Sequence, residues 1–479
     1  MIKPNKTIYF IYKINEMEKI LDRENWNWDF EFYPPDTFND GEYILSKYAI
    51  LERVEDGFLL FHTITRAMYL LSYDEFVNIL NNETLKREHI VNNSNVDEDK
   101  IALNTYMRRA QCPMSDYSNL KHYVIFTTNN CNARCPYCYE NNGVEKPIER
   151  GMTLKTAEKV VQYILKTKKE DKFGIEWFGG EPLLNQKVIS YISKRIKDEL
   201  GEASNNFSSR IITNGLLFNE DVLNKAITDW NLKSAEITLD GIEDKYNEIK
   251  RYKNVKFNPF KKIIKNIETI LKKSDLILSI RINVSEDNID DVEDTVQFLL
   301  ERFGEYKENK RLRIGLNPIF QLDTDDEKID SPAMVKINEL REKYGLKKLR
   351  QNTLIPSPIT HCMGDGGHAV AISPKGELNL CEHWVEENII GNVVDGITNQ
   401  DVIKEWNAKD GENIEFCLSE KCPYLPICNH LTHCPSDPSC KSLARLNKIG
   451  KDYRLLMVEE YLKYKKKKAE ETKNENGEE

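Results

Sequence analysis

The chain has 479 residues, is 40% hydrophobic and carries a net charge of −10. That length allows two or three domains with ordinary cores, and the acidic balance offers no broad electrostatic case for a nucleic-acid partner. The apolar run at 8–12 is too short to span a membrane, no other segment nears the ~18 apolar residues required, and no secretory signal is visible, so no membrane partner and a cytoplasmic location are expected. Residues 43–54 read as a strand, 55–57 as a turn, and 58–62 and 67–71 as further strands. Helices are expected at 74–80 and 97–110. Three strands with helices suit a small winged-helix-like α+β module over 1–112. Such a module either pads the main body or grips a peptide by strand addition at a sheet edge.

From 118 to 345, strand-like and helix-like segments alternate. Strands are expected near 121–128, 174–179, 208–213, 234–239, 276–284 and 311–320. Helices are expected near 153–168, 186–200, 219–229, 258–273, 288–302 and 333–344. In the fifth of these, Ile289, Val292, Val296 and Leu299 form one apolar face. Repeated strand–helix units imply a parallel sheet, curved into a partial (β/α)6 barrel within an α/β class chain. A helix and a disordered end at 474–479 are expected over the tail, 451–479; the basic run Lys465 to Lys468 reads as a solvated face.

Eleven cysteines would be odd as disulfides in a reducing compartment, and ten of them cluster, which points to metal ligation. Cys112 stands apart and reads as a free thiol. Cys131, Cys135 and Cys138 fall within one short run after the first barrel strand. Three thiolates at that spacing suit either a 4Fe–4S cluster with one open iron or a zinc site completed from elsewhere. After the second strand comes Gly179-Gly180-Glu181-Pro182, whose glycines let backbone groups approach a ligand. Thr213-Asn214-Gly215 and Thr238-Leu239-Asp240-Gly241 end the third and fourth strands, with Arg281 and Asn283 late in the fifth. All lie at the strand ends where α/β barrels place their chemistry.

Together the cysteine run and Gly-Gly-Glu-Pro resemble the radical S-adenosylmethionine enzymes. The resemblance implies that Cys131, Cys135 and Cys138 hold a 4Fe–4S cluster. Its open iron then chelates the methionine amine and carboxylate of S-adenosylmethionine. It places Gly179, Gly180 and Glu181 at the methionine amine, Tyr137 near the adenine and Thr238 against the cofactor. Arg251 would bind the carboxylate, with Lys250 as its rival. Arg281 and Asn283 would face the same cavity; for Arg281 a rim salt bridge is the plain alternative.

Past residue 355 come Cys362, Cys381, Cys417, Cys422, Cys428, Cys434 and Cys440. With Gly376 five before Cys381, this field resembles the SPASM extension of such enzymes, here 355–450. That resemblance implies two auxiliary 4Fe–4S clusters, three in all. Cys362, Cys381 and Cys434 would hold the first, and Cys417, Cys422, Cys428 and Cys440 the second. The spacings Cys417 to Cys422 and Cys428 to Cys434 are wider than the usual pattern. The first auxiliary cluster lacks a fourth cysteine, so it has an open iron or a ligand such as His361.

The resemblance implies a maturase acting on a precursor peptide, fed electrons by a donor such as flavodoxin or ferredoxin. The product expected first is a crosslink from a cysteine thioether to a carbon. One alternative is oxidation of a Cys or Ser side chain in the manner of anaerobic sulfatase maturases, with Glu382 as catalytic base. Another is an iron–sulfur scaffold or sensor without turnover, against which the intact Gly-Gly-Glu-Pro argues.

Overall fold

The computed structural model describes residues 38–93, 95–110, 117, 119–138, 151–169, 172–319, 332–346, 363–364, 367–382, 389–407, 411–428 and 443–475. They fall into two compact units. One takes the described residues of Met1–Gln111 and Lys409–Glu479; the other takes those of Cys112–Gln351 and Thr360–Ala408. The described part of 355–450 is therefore divided between the units.

In the first unit, β1 (Tyr43–Leu45), β2 (Ala49–Val54), β3 (Gly57–His62), β4 (Ala67–Leu71) and β5 (Val91–Asn93) follow in order. Strands β2, β3 and β4 form an antiparallel sheet, and β1 pairs with β5. The single strand expected over 43–54 is broken at Ser46-Lys47-Tyr48. Ser46 Oγ accepts the Tyr48 N–H and its carbonyl accepts the Ala49 N–H, a local turn that competes with a continuous ladder. Helix Glu98–Ala110 lies where expected; helix Glu83–Arg87, capped by Asn82, and the three-residue β5 are additions. Helix Leu443–Glu475 closes this unit, running two residues into the tail expected to be disordered.

The second unit holds the barrel. Strands β6 (His122–Thr128), β7 (Phe173–Gly179), β8 (Phe207–Thr213), β9 (Leu232–Thr238), β10 (Ile277–Val284) and β11 (Leu312–Pro318) pair in order, all parallel. Alternation sorts their side chains. Phe173, Ile175 and Trp177 join the main core, while Phe178 packs with Val124 and Phe126 in a separate cluster. Helix Pro259–Lys273 buries Ile263, Ile267 and Ile270 along one face and is capped by Asn258.

Two departures shape the site. Helix Val292–Glu308 begins four residues later than expected, because Asn288 is used as a tie. Its Nδ2 donates to the Asp240 and Asn283 carbonyls, and its Oδ1 accepts the Ser285 N–H. Helix Glu243–Lys250 was not foreseen; its polar sequence carries little periodic signal. Beyond the barrel, β12 (Ala369–Ile372) adds parallel to β6, followed by antiparallel β13 (Glu377–Asn379), β14 (Ile389–Asn392) and β15 (Gly396–Ile397). No described helix is long and apolar enough to cross a membrane.

Candidate cofactor site

The cysteine loop leaves β6, and the glycine turn leaves β7 beside it. Backbone bonds fasten the two together: Gly180 N–H to the Thr128 carbonyl at 3.0 Å and Glu181 N–H to the Asn130 carbonyl at 2.9 Å. No side chain fits at this seam. A Cβ on Gly179, whose φ is +122°, would lie 2.2 Å from the Thr128 oxygen. One on Gly180 would lie 2.6 Å and 2.7 Å from the Asn130 and Asn129 oxygens.

Glu181 is fully buried, and burial, foremost, raises its pKa. Its Oε1 accepts from Thr213 Oγ1 at 2.7 Å and the Leu183 N–H at 3.0 Å; Oε2 accepts the Asn214 N–H at 2.8 Å. The carboxylate thus ties the glycine turn to the end of β8. Asn214 extends the tie, its Nδ2 donating to Asn132 Oδ1 at 2.7 Å and reaching Cys131 Sγ at 3.9 Å. The Ala133 N–H also points at that sulfur, at 3.4 Å.

Tyr137 stands at the centre of a buried polar knot. Its hydroxyl donates to Asp240 and accepts from Lys250 Nζ at 2.9 Å and Asn283 Nδ2 at 3.3 Å. Lys250 Nζ lies 2.7 Å from Asp240, with side chains 2% and 0% exposed. Asp240 Oδ1 takes the Asn283 N–H at 2.8 Å and its Nδ2 at 3.1 Å. Arg251 sits elsewhere. It is the left-handed cap of its helix, exposed, with Nε on the Glu248 carbonyl at 3.2 Å. The structure therefore brings the rival, Lys250, to Tyr137 and leaves Arg251 in solvent. Thr238, half-buried, ends β9 opposite Arg281.

Arg281 continues the knot downward. Its Nε donates to Asn283 Oδ1 at 2.9 Å, and its Nη1 lies 3.8 Å from Glu236. Arg210 then links Glu236, at 3.8 Å, to Glu176, at 2.8 Å, and His122 lies 3.9 Å from Glu176. Glu382, half-buried beside Cys381, is close enough for its charge to raise Glu176. Burial, foremost, pushes Glu176 up to about 7, against the pull of Arg210. An acid whose pKa rises on folding holds its proton better folded than unfolded. Burying it thus costs stability progressively as pH climbs from the ordinary 4.5 to about 7, and no further above that. Urea unfolding of the iron-free chain is expected to show this group removing about 3 kcal/mol across that window. Glu176→Gln should flatten the same part of the profile; an unchanged slope would show that Glu176 titrates as an ordinary carboxylate.

Cys131, Cys135 and Cys138 are half-buried on their loop, and Cys131 feels the charge of both others. Burial, above all, pushes the Cys131 thiol up to about 12, so a bound cation is what would hold it as thiolate. Among the described residues, no three His, Cys, Asp or Glu side chains close on one ion's site. A four-iron cube holds its thiolates farther apart than a single ion does. Three charge-coupled thiols beside a side-chain-free glycine seam fit that donor set. Cys381 is buried in this unit; Cys417, Cys422 and Cys428 are buried in the other. Cys112, His361, Cys362, Cys434 and Cys440 lie outside the described residues.

Residues 125–299 match the Radical SAM superfamily. A GTP 3′,8-cyclase of Clostridium perfringens (strain 13 / Type A) is 23% identical over 316 residues, 62% of this chain and 92% of its own. The Radical SAM cyclopropyl synthase TigE of Paramaledivibacter caminithermalis is 24% identical over 454 residues, 82% of this chain and 90% of its own. Among solved structures, native anSMEcpe with bound AdoMet and Kp18Cys peptide shares the fold. It has a TM-score of 0.52 at 15% identity, over 71% of this chain and 97% of that one.

Proposed function

We propose that the chain, whose residues 125–299 match the Radical SAM superfamily, is a maturase of a ribosomally made peptide. It would remove hydrogen from a peptide carbon so that a crosslink forms, in first place a cysteine thioether. The observation that carries this reading is the seam that fastens the Cys131–Cys138 loop to Gly179-Gly180-Glu181. The synthase TigE is matched over 82% of this chain and the GTP cyclase over 62%, and the solved anSMEcpe neighbour holds a Kp18Cys peptide; both favour a peptide over a nucleotide.

Cys131, Cys135 and Cys138 would hold a 4Fe–4S cluster, and the backbone at Gly179-Gly180 would receive the methionine amine of S-adenosylmethionine. When bound, this pair supplies reducing electrons and a carbon-centred radical that takes hydrogen. The protein's own work is placement. Glu181 holds the glycine turn against β8, and Lys250 with Asp240 holds the Tyr137 side chain, whose ring would lie near the adenine. Thr238, Arg281 and Asn283 line the same rim. Cys381 and the Cys417–Cys428 run would hold the auxiliary clusters, three in all. In the first unit β2 and β4 are edge strands among the described residues, where a peptide strand would add. A cytoplasmic setting with a flavodoxin or ferredoxin donor suits this chemistry.

A second reading is oxidation of a Cys or Ser side chain, favoured by Glu382 lying within electrostatic reach of Glu176 in the barrel unit. Anaerobic incubation of the reconstituted chain with reductant, S-adenosylmethionine, a cysteine-containing precursor peptide and GTP separates the readings. A crosslink removes two hydrogens and one alkylatable thiol. A hydrazide-reactive carbonyl on the peptide would establish the second reading, and consumption of GTP in place of peptide would overturn both.

The seam makes its own prediction. Gly180→Ala should push the Asn129-Asn130 backbone aside and weaken S-adenosylmethionine binding by about tenfold or more, roughly 1.4 kcal/mol. Equilibrium dialysis checks this; unchanged affinity would remove the seam from the cofactor site.

A further inference from the structure

Three stretches far apart in sequence share one apolar core in the first unit. Ile50 and Phe61 come from the N-terminal sheet, Cys422 and Cys428 from the last cysteine run, and Met457 and Tyr461 from the closing helix. Polar bonds knit the same three pieces. Thr63 Oγ1 donates to the Pro423 carbonyl at 2.7 Å, directly after Cys422. Tyr453 donates to the Ile427 carbonyl at 3.0 Å, directly before Cys428, and its ring stacks on Tyr424 at 5.1 Å. Tyr461 donates to Asp56 at 2.6 Å, and Arg454 lies 3.6 Å from Glu52. The segment from Cys422 to Cys428 is thus held between the N-terminal sheet and the closing helix.

At the centre of this junction are three buried thiols that form no disulfide, those of Cys417, Cys422 and Cys428. Cys417 and Cys422 are hydrogen-bonded to each other, and Cys422 feels the charge of Cys428. Small apolar side chains would fill such a core equally well. Three neighbouring thiols that do not close on a single ion's site suit the wider spacing of an iron–sulfur cluster instead. Closing a contact between Thr63 and Pro423 spans most of the chain, which is costly in entropy for a small sheet. Binding energy from a metal group formed only in the folded state is folding energy.

We propose that the metal group of Cys417, Cys422 and Cys428 is a structural member of the N-terminal module, so that its β2–β4 sheet is ordered only in the cluster-loaded protein. This rests on the reading of those cysteines as auxiliary-cluster ligands. Peptide recognition is then conditional on cluster loading, while the Cys131–Cys138 site, in the other unit, is not. A chain that has lost this one group would still cleave S-adenosylmethionine but would present no ordered edge to a peptide.

Hydrogen–deuterium exchange on the full chain tests this. The reconstituted wild type, the wild type stripped by an iron chelator, and reconstituted Cys417→Ser/Cys428→Ser are compared, with iron measured in each. Amides of Ala49–His62 are expected to exchange about tenfold or more faster in the stripped and variant proteins alike, a loss of roughly 1.4 kcal/mol. Those of β7 and β8 should be unchanged in the variant. Protection of Ala49–His62 that survives chelator stripping overturns the proposal. So does a variant that exchanges faster than stripped wild type, since its effect is then one of packing. A variant that keeps the full iron content also overturns it, and in that outcome it is the ligand assignment that has failed.

Discussion

Lys250→Met is expected to cost about 3–5 kcal/mol of stability in the iron-free chain, because it strands a carboxylate in the interior. Asp240 is fully buried and its Oδ2 faces the Lys250 ammonium at 2.7 Å. Without the ammonium, only neutral donors from Tyr137 and Asn283 remain. Asp240→Asn should be similarly harmful alone, as it leaves the ammonium unpaired. The double variant Lys250→Met/Asp240→Asn should recover much of the loss, so the two effects should be strongly non-additive. Urea titrations of the four proteins measure this directly; additive losses would mean that the two groups act separately. The pair is insensitive to neutral pH. Burial alone would lower Lys250, but the Asp240 carboxylate beside it raises it well above its ordinary value. A base raised on folding contributes fully below its unfolded pKa, so the Lys250 contribution is lost as pH rises through its raised folded value, at strongly alkaline pH. The double variant should stay poor at cleaving S-adenosylmethionine even where it is stable, since Tyr137 has lost the donor that fixes it.

Replacing Cys131, Cys135 and Cys138 together by alanine is expected to abolish reductive cleavage of S-adenosylmethionine. If the chain holds the three clusters proposed, about eight of about twelve irons should remain, because the other cysteines are untouched. These three residues are half-buried on one loop, outside the hydrophobic core, so the substitution is expected to leave the fold intact. Circular dichroism of the variant checks that point. Loss of all iron would show that the clusters load cooperatively; retention of all of it would place the first cluster elsewhere.

The barrel was legible because its signals are local. Six apolar runs and the helices between them follow from period and capping, and Asn258 before Pro259 marks its helix start as the rules expect. The cysteine loop and glycine turn were legible for the same reason, since each is a short run of residues with narrow uses. Lys250 was harder. It and Arg251 are adjacent and both basic, and only the left-handed cap at Arg251, φ +47°, decides which one turns inward. Nothing local reveals that Asp240 and Tyr137 meet it. Asn288 reads as the start of an amphipathic helix, yet its side chain is spent on the Asp240 and Asn283 carbonyls. The shared core of the N-terminal sheet and the last cysteine run was invisible in the sequence, because no period or motif links Thr63 to Pro423.

The most direct test of the central claim is product analysis of the wild-type chain, reconstituted anaerobically and given dithionite and S-adenosylmethionine. Equal amounts of 5′-deoxyadenosine and methionine are expected, only with reductant, and neither from the triple alanine variant. An iron-loaded chain that forms no 5′-deoxyadenosine under these conditions would contradict it.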